Sequence, residues 1–274
     1  MLLITCSNTE VSEFKAFSAK TNNSLIDSTG NTLFTRIAVP DSFERVKVDS
    51  NSFGFYLRHF PLKAEHSKVY YYNGEEKYNQ NVVAAVLDID VGKKDLQQCA
   101  DAVMRLRAEY LFSKGKYNDI HFNFTNGFRA DYKKWAEGGR IKIDGNRTTW
   151  YAGAEKSYSK ETFKKYLEIV FSYAGTLSLS KELQSISLEN IEPGDVFIYG
   201  GSPGHAVIVM DVAQHVRTKE KIFMIAQSYM PAQNIHLLKN FNDTISPWYN
   251  LKNSTKLYSP EWTFEKNTLK RFLN

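Results

Sequence analysis

Apolar positions recur along this chain in two rhythms, and the changes of rhythm mark its elements. Residues 32–39 alternate as a half-buried strand does, and Pro40-Asp41 breaks the pattern. Residues 52–57 suit a short helix or strand that ends before Pro61, and the β-rich run 68–72 closes on Asn73-Gly74, a turn signal. Residues 82–90 are almost continuously apolar, which predicts a strand covered on both faces. The clearest helix runs from Leu96 to about Phe112: Leu96, Cys99, Ala100, Val103, Leu106 and Tyr110 form one stripe. Asp95 can cap it, with Gln98 three residues later completing a capping box. A strand follows at 120–124, then a helix at 162–173 with Phe163, Tyr166, Leu167, Val170 and Phe171 inward and Gly175 as its stop. After Pro193-Gly194 come three strands in succession, 196–199, 206–212 and 222–227; from Ile235 onward no rhythm prevails. Helices placed mostly before an antiparallel run of strands predict an α+β domain.

The N-terminus stands apart. Met1 to Thr5 form an apolar scrap that ends at Cys6, and a Ser/Thr/Asn-rich stretch continues to Gly30. This resembles the tail of a bacterial lipoprotein signal peptide, in which Cys6 would be lipidated and residues 1–30 would be a signal remnant and tether. A frayed end with an incidental cysteine is the competing reading. The folded part is then a single α+β domain over 31–274. If Cys6 is a lipid anchor, the protein belongs to the cell envelope and meets the membrane only through that anchor.

Composition narrows the remaining classes. With 42% apolar residues and 14% aromatic, 274 residues supply a full core, which excludes a disordered or collagen-like chain. A net charge of +5, with 35 basic and 30 acidic residues interleaved, gives no concentrated basic patch and argues against a nucleic-acid partner. The two cysteines, Cys6 and Cys99, make no disulfide framework, and no two of the six histidines stand at metal-ligand spacing, so neither a metal nor another cofactor is expected.

The candidate chemistry joins the capped helix to the late strands. Cys99 falls in the first helical turn, where free N–H groups and the macrodipole favour a thiolate, so a lowered pKa is expected. The run Gly200-Gly201-Ser202-Pro203-Gly204-His205 delivers a histidine at the mouth of an apolar strand, and the next strand ends at Gln227. A thiol, an imidazole base and an amide orienter make a Cys–His–polar triad. The Cys99 N–H and the Gln98 side chain are candidates for binding an oxyanion.

Two resemblances support this. Residues 95–111, the Gly-Gly-Ser-Pro-Gly-His segment, residues 226–233 and Ser246-Pro247-Trp248-Tyr249 resemble the bacterial domain-of-unknown-function family 4846, over about 32–272. Gln98-Cys99 opening a helix, Gly194-Asp195-Val196-Phe197-Ile198, Gly204-His205-Ala206-Val207-Ile208-Val209 and then Gln227 are similar to the papain-like CHAP and NlpC/P60 amidases and endopeptidases. That second resemblance implies a papain-like core with a Cys-bearing helix packed on an antiparallel sheet. It also implies a cysteine amidase or peptidase-like hydrolase acting on an amide bond, with a peptide or peptidoglycan-like substrate. This chain departs from the pattern in the strand placed before the cysteine helix and in the more than one hundred residues between Cys99 and His205.

The alternatives stay open at this stage. Cys99 lies on the apolar stripe and suits a packed, inert thiol, which would leave a non-catalytic envelope lipoprotein that binds a glycan or protein partner. Asp211 or Ser228 could take the place of Gln227. Leu87-Asp88-Ile89-Asp90-Val91 is similar to a phosphatase nucleophile loop, and more simply a strand end. Trp135, Trp150, Trp248 and Trp262 suit either a groove or the core.

Overall fold

The computed structural model describes residues 25–273, and Cys6 lies outside them. Seven strands follow one another in the main sheet in the order Val83–Val86, His236–Leu238, Lys221–Gln227, His205–His215, Val196–Tyr199, Leu269–Arg271 and Gln184–Ser185. An eighth, Phe43–Arg45, pairs with the far end of the long His205–His215 strand, Arg45 opposite Ala213. All these pairings are antiparallel. The fold is therefore α+β, with helices packed on an antiparallel sheet.

Both faces of the central strands are covered, which is why their sequences read as unbroken apolar runs. Ala206, Ile208 and Met210 join the larger core, where Val103 and Leu106 of the Cys99–Ser113 helix lie. Val207 and Val209 turn to a second core with Phe197, Phe223, Leu257 and Phe264. The register between the two longest strands shifts where Met224 faces Asp211 and Ile225 faces Val209, so Met210 is an extra residue. After this bulge Val212 is in the second core and Ala213 in the first, so Asp211 follows Met210 onto the helix-bearing face.

Most of the expected elements are present with shifted ends. The second long helix is Lys160–Tyr173, capped by Ser159, whose Oγ accepts from Thr162 N–H. The 52–57 region is a helix, Phe53–Arg58, capped by Ser52. Four expectations need correction. The β-rich run 68–72 makes no strand, only isolated bridges from Tyr70 to Glu76 and from Tyr71 to Gln233. Residues 32–39 hold one helical turn, Leu33–Arg36, because Thr32 and Thr35 form a reciprocal cap and Leu33, Arg36 and Ile37 are the buried positions. Residues 82–90 supply only the short edge strand Val83–Val86, in which Val83 and Ala84 are half-buried. The cysteine helix begins at Cys99 rather than Leu96, and Gln98 is its N-cap. Asp95 does not cap the helix; its Oδ1 accepts from Gln98 Nε2 at 3.1 Å and from the Ala232 N–H at 2.7 Å.

At the N-terminal side, Leu25 and Ile26 pack against the core, and Asp27 N–H donates to the Arg36 carbonyl at 2.8 Å, so residues 25–30 lie on the domain. No described helix is long and apolar enough to cross a membrane.

Candidate active site

The helix start and the strand start meet at one end of the sheet. Cys99 is the first residue of its helix and half-buried, with Asp101 reaching back to accept the Gln98 N–H at 3.0 Å. His205 is the first residue of its strand, and the turn before it packs hard against the Thr176–Glu182 helix. A Cβ on Gly204 would stand 2.3 Å from Thr176 Oγ1 and 2.5 Å from the Gly201 carbonyl oxygen. Only glycine lets the chain pass there, and that passage sets where His205 enters the sheet.

Cys99 and His205 line one cavity of about 420 Å³, together with Gln98, Tyr229, Met230 and Trp262. Three backbone N–H groups, those of Ala100, Ala206 and Cys99 itself, favour the ionised sulfur. One of them belongs to the residue after His205. A larger hollow of about 540 Å³, beside Lys94, Trp135 and Glu168, has neither a cysteine nor a histidine in its wall.

His205 is 1% exposed, and its Nε2 lies 2.7 Å from Gln227 Oε1. The two are on the second-core side of their strands: Val207 and Ile225, two residues from each, belong to that core. The imidazole sits among rings, with centroids 4.7 Å from Tyr229, 5.3 Å from Trp262 and 5.8 Å from Phe264. Burial holds it neutral: desolvation, opposed by the Gln227 hydrogen bond and assisted by the Lys77 charge, brings its pKa down to about 4.

The thiol departs from the sequence expectation. Desolvation first, and then the Asp101 carboxyl, raise the Cys99 pKa to about 11, and these outweigh the three N–H groups. The helix terminus does act as expected; burial is the larger effect. Asp101 is itself pushed well up by burial, with one oxygen, Oδ1, buried and unpartnered. At neutral pH the pair is therefore a thiol and a neutral imidazole, not an ion pair.

The alternatives to Gln227 are occupied elsewhere. Asp211 lies fully buried between Arg45 and Arg58. Ser228 Oγ bonds the carbonyls of Gln97 and Gln233 at 2.7 and 2.9 Å. Gln98 lines the cavity and gives one amide hydrogen to Asp95. Asp90 lies in the loop beyond Val83–Val86, not at a strand end, and pairs with Arg105 and Lys164 at 3.1 Å each. Arg105 is buried and also holds Glu109 at 2.9 Å. Of the tryptophans, Trp248 is fully buried and Trp135 nearly so, while Trp262 borders the cavity.

Two polar residues behind the histidine escaped the sequence reading. Gln227 Nε2 donates to Glu261 Oε2 at 2.5 Å, and Lys77 Nζ pairs with Glu261 Oε1 at 2.7 Å. Glu261 and Trp262 sit at the tip of the hairpin formed by Lys256–Tyr258 and Thr263–Glu265, closed by Ser259 and Trp262. The turn-forming Ser259-Pro260 between two short alternating runs was the available signal for that tip. Lys77 has no such signal.

A family model described as domain of unknown function (4846) matches residues 33–271. No curated protein and no solved structure is similar enough to this chain to match it. The model covers most of the chain, including every residue of the cavity described above, and the protein belongs to the domain of unknown function 4846 family.

Proposed function

We propose that this protein is a thiol hydrolase with a papain-like core, acting on an amide bond, in which Cys99 is the nucleophile, His205 the base and Gln227 its orienter. The observation that carries this reading is the shared cavity: a half-buried thiol at a helix start and a histidine fixed by an amide both line it. Gln227 Oε1 accepts from His205 Nε2–H, which leaves Nδ1 bare to take the thiol proton. The sulfur then adds to the substrate carbonyl carbon, and the oxyanion falls to the Cys99 N–H and the second Gln98 amide hydrogen. Collapse breaks the C–N bond, and the imidazolium returns its proton to the leaving amine. Water, deprotonated by His205, cleaves the thioester, releasing a carboxylic acid and the free thiol.

Peptidoglycan peptide is the substrate suggested by the resemblance to cell-wall amidases, and lipidation of Cys6 would hold the protein in the envelope. Incubation with purified muropeptides is expected to give products of lower mass with the wild type and none with Cys99→Ala. Equal products from both would sink the hydrolase. For the anchor, mass spectrometry of the N-terminal peptide from native cells is expected to find a lipid adduct on Cys6, and an unmodified Cys6 would remove the envelope part.

One observation favours a second reading, a non-catalytic envelope lipoprotein that binds a glycan or protein partner: the thiol is raised to about 11 and stays protonated. No muropeptide turnover, with binding retained by Cys99→Ala, would select it.

A further inference from the structure

Behind the proposed triad runs a chain of polar groups with only one consistent arrangement of hydrogens. Lys77 is 5% exposed and Gln227 1%. The links are Lys77 Nζ to Glu261 Oε1 at 2.7 Å, Gln227 Nε2 to Glu261 Oε2 at 2.5 Å, and Gln227 Oε1 to His205 Nε2 at 2.7 Å. A carboxylate only accepts, so the amide must turn its NH₂ toward Glu261. Its oxygen then faces the imidazole, and because that oxygen also only accepts, the ring proton must sit on Nε2.

We propose that Glu261, held by Lys77, is a positioning residue that locks the Gln227 amide and so selects the His205 tautomer whose Nδ1 is bare. Turning the amide over would place an NH₂ against Nε2, drive the proton to Nδ1 and remove the lone pair that faces away from Gln227. Glu261 bonds Gln227 and Lys77, and it acts on the ring through Gln227. The tautomer argument stands on the hydrogen-bond chain, and only its kinetic consequence rests on the proposed Cys99/His205 pairing.

The isosteric variant Glu261→Gln makes the test sharp. Lys77 can only donate, so it takes the one carbonyl oxygen of the new amide, and the NH₂ is left facing Gln227. Gln227 must then turn its own oxygen outward. Nitrogen-15 correlation spectra of the histidine rings are expected to show His205 protonated at Nε2 in the wild type and at Nδ1 in E261Q. Adding Lys77→Met frees the amide at 261 to rotate, and K77M/E261Q is expected to bring back the Nε2–H form as one of two exchanging tautomers.

The truncation Glu261→Ala removes the acceptor and is expected to give both tautomers in exchange. Persistence of the single Nε2–H form in E261Q and in E261A would overturn the assignment. Alkylation of Cys99, measured on the same samples, is expected to slow about 100-fold in E261Q and recover in part in the double variant. A reversed tautomer with an unchanged alkylation rate would uphold the lock and break the Cys99/His205 pairing instead.

Discussion

Replacing Asp211 by alanine is expected to cost about 3–5 kcal/mol of folding stability while leaving the cavity around Cys99 in place. Asp211 is fully buried; its Oδ2 accepts from Arg45 Nε at 2.6 Å and its Oδ1 from Arg58 Nε at 2.7 Å and from the Val212 N–H at 2.9 Å. The two guanidiniums are themselves only 14% and 8% exposed. Arg58 also donates to the Val46 carbonyl at 2.9 Å and Arg45 to the Ile37 carbonyl. Alanine would strand two positive charges in the larger core, and it is this orphaning, rather than the loss of one favourable pair, that sets the size of the effect. Asp211→Asn keeps the shape and the acceptor but leaves the charge uncompensated, so it should lose nearly as much. Urea unfolding measures it: a lower midpoint with unchanged slope is expected, and a loss under about 1 kcal/mol would show that the arginines relax to solvent. Six residues of extended strand, about 20 Å, separate Asp211 from His205, so the Cys99 alkylation rate in the folded variant should match that of the wild type.

The second large effect is kinetic. His205→Ala is expected to slow alkylation of Cys99 by iodoacetamide at pH 7 by about 100-fold or more. With its pKa raised to about 11, the thiol is ionised in only about one molecule in ten thousand at pH 7. Reactivity in excess of that thiolate fraction requires His205 to take the proton as the sulfur attacks, and the imidazole is neutral and able to accept it at any pH well above about 4. The pH profiles follow from those two values. The wild-type rate should stay nearly flat across the neutral range and fall as pH drops through about 4, where His205 becomes protonated and can accept nothing. The variant should instead rise about tenfold per pH unit until the thiol ionises, and the two curves should converge at high pH. Equal rates and equal slopes at neutral pH would show that the sulfur and the ring are not coupled.

The parts of this molecule that were legible in its sequence are those where one periodicity had no rival. The Lys160–Tyr173 helix and the Val196–Tyr199, His205–His215 and Lys221–Gln227 strands fall almost where their patterns placed them, because their apolar stripes are long or both faces are buried. Residues 32–39 misled because the run fits two periods at once: Leu33, Arg36 and Ile37 at helical spacing are the buried ones, and a buried arginine was counted on the polar side. Of the candidate site, Cys99, His205 and Gln227 were readable as residue types at element ends, and the fold brings the first two to one cavity and the last two into contact. The sign of the thiol shift was not readable, because a helix terminus is written in local sequence whereas desolvation depends on what the tertiary fold lays over the sulfur. Lys77 and Glu261 were hidden for the same reason: they are 184 residues apart and acquire meaning only by meeting.

The strand Leu269–Arg271 lies inside the sheet, between Val196–Tyr199 and Gln184–Ser185, and is not appended to its margin. A ribosome making this protein from the N-terminus therefore releases Gln184–Ser185 long before its neighbour exists. The sheet stays split until Leu269–Arg271 has cleared the exit tunnel, and the hairpin tip carrying Glu261 and Trp262 emerges just ahead of it. Completion of the sheet waits for Leu269–Arg271, so a nascent chain that stops short of Glu261 would hold the thiol and the imidazole without the segment that sets the ring's proton.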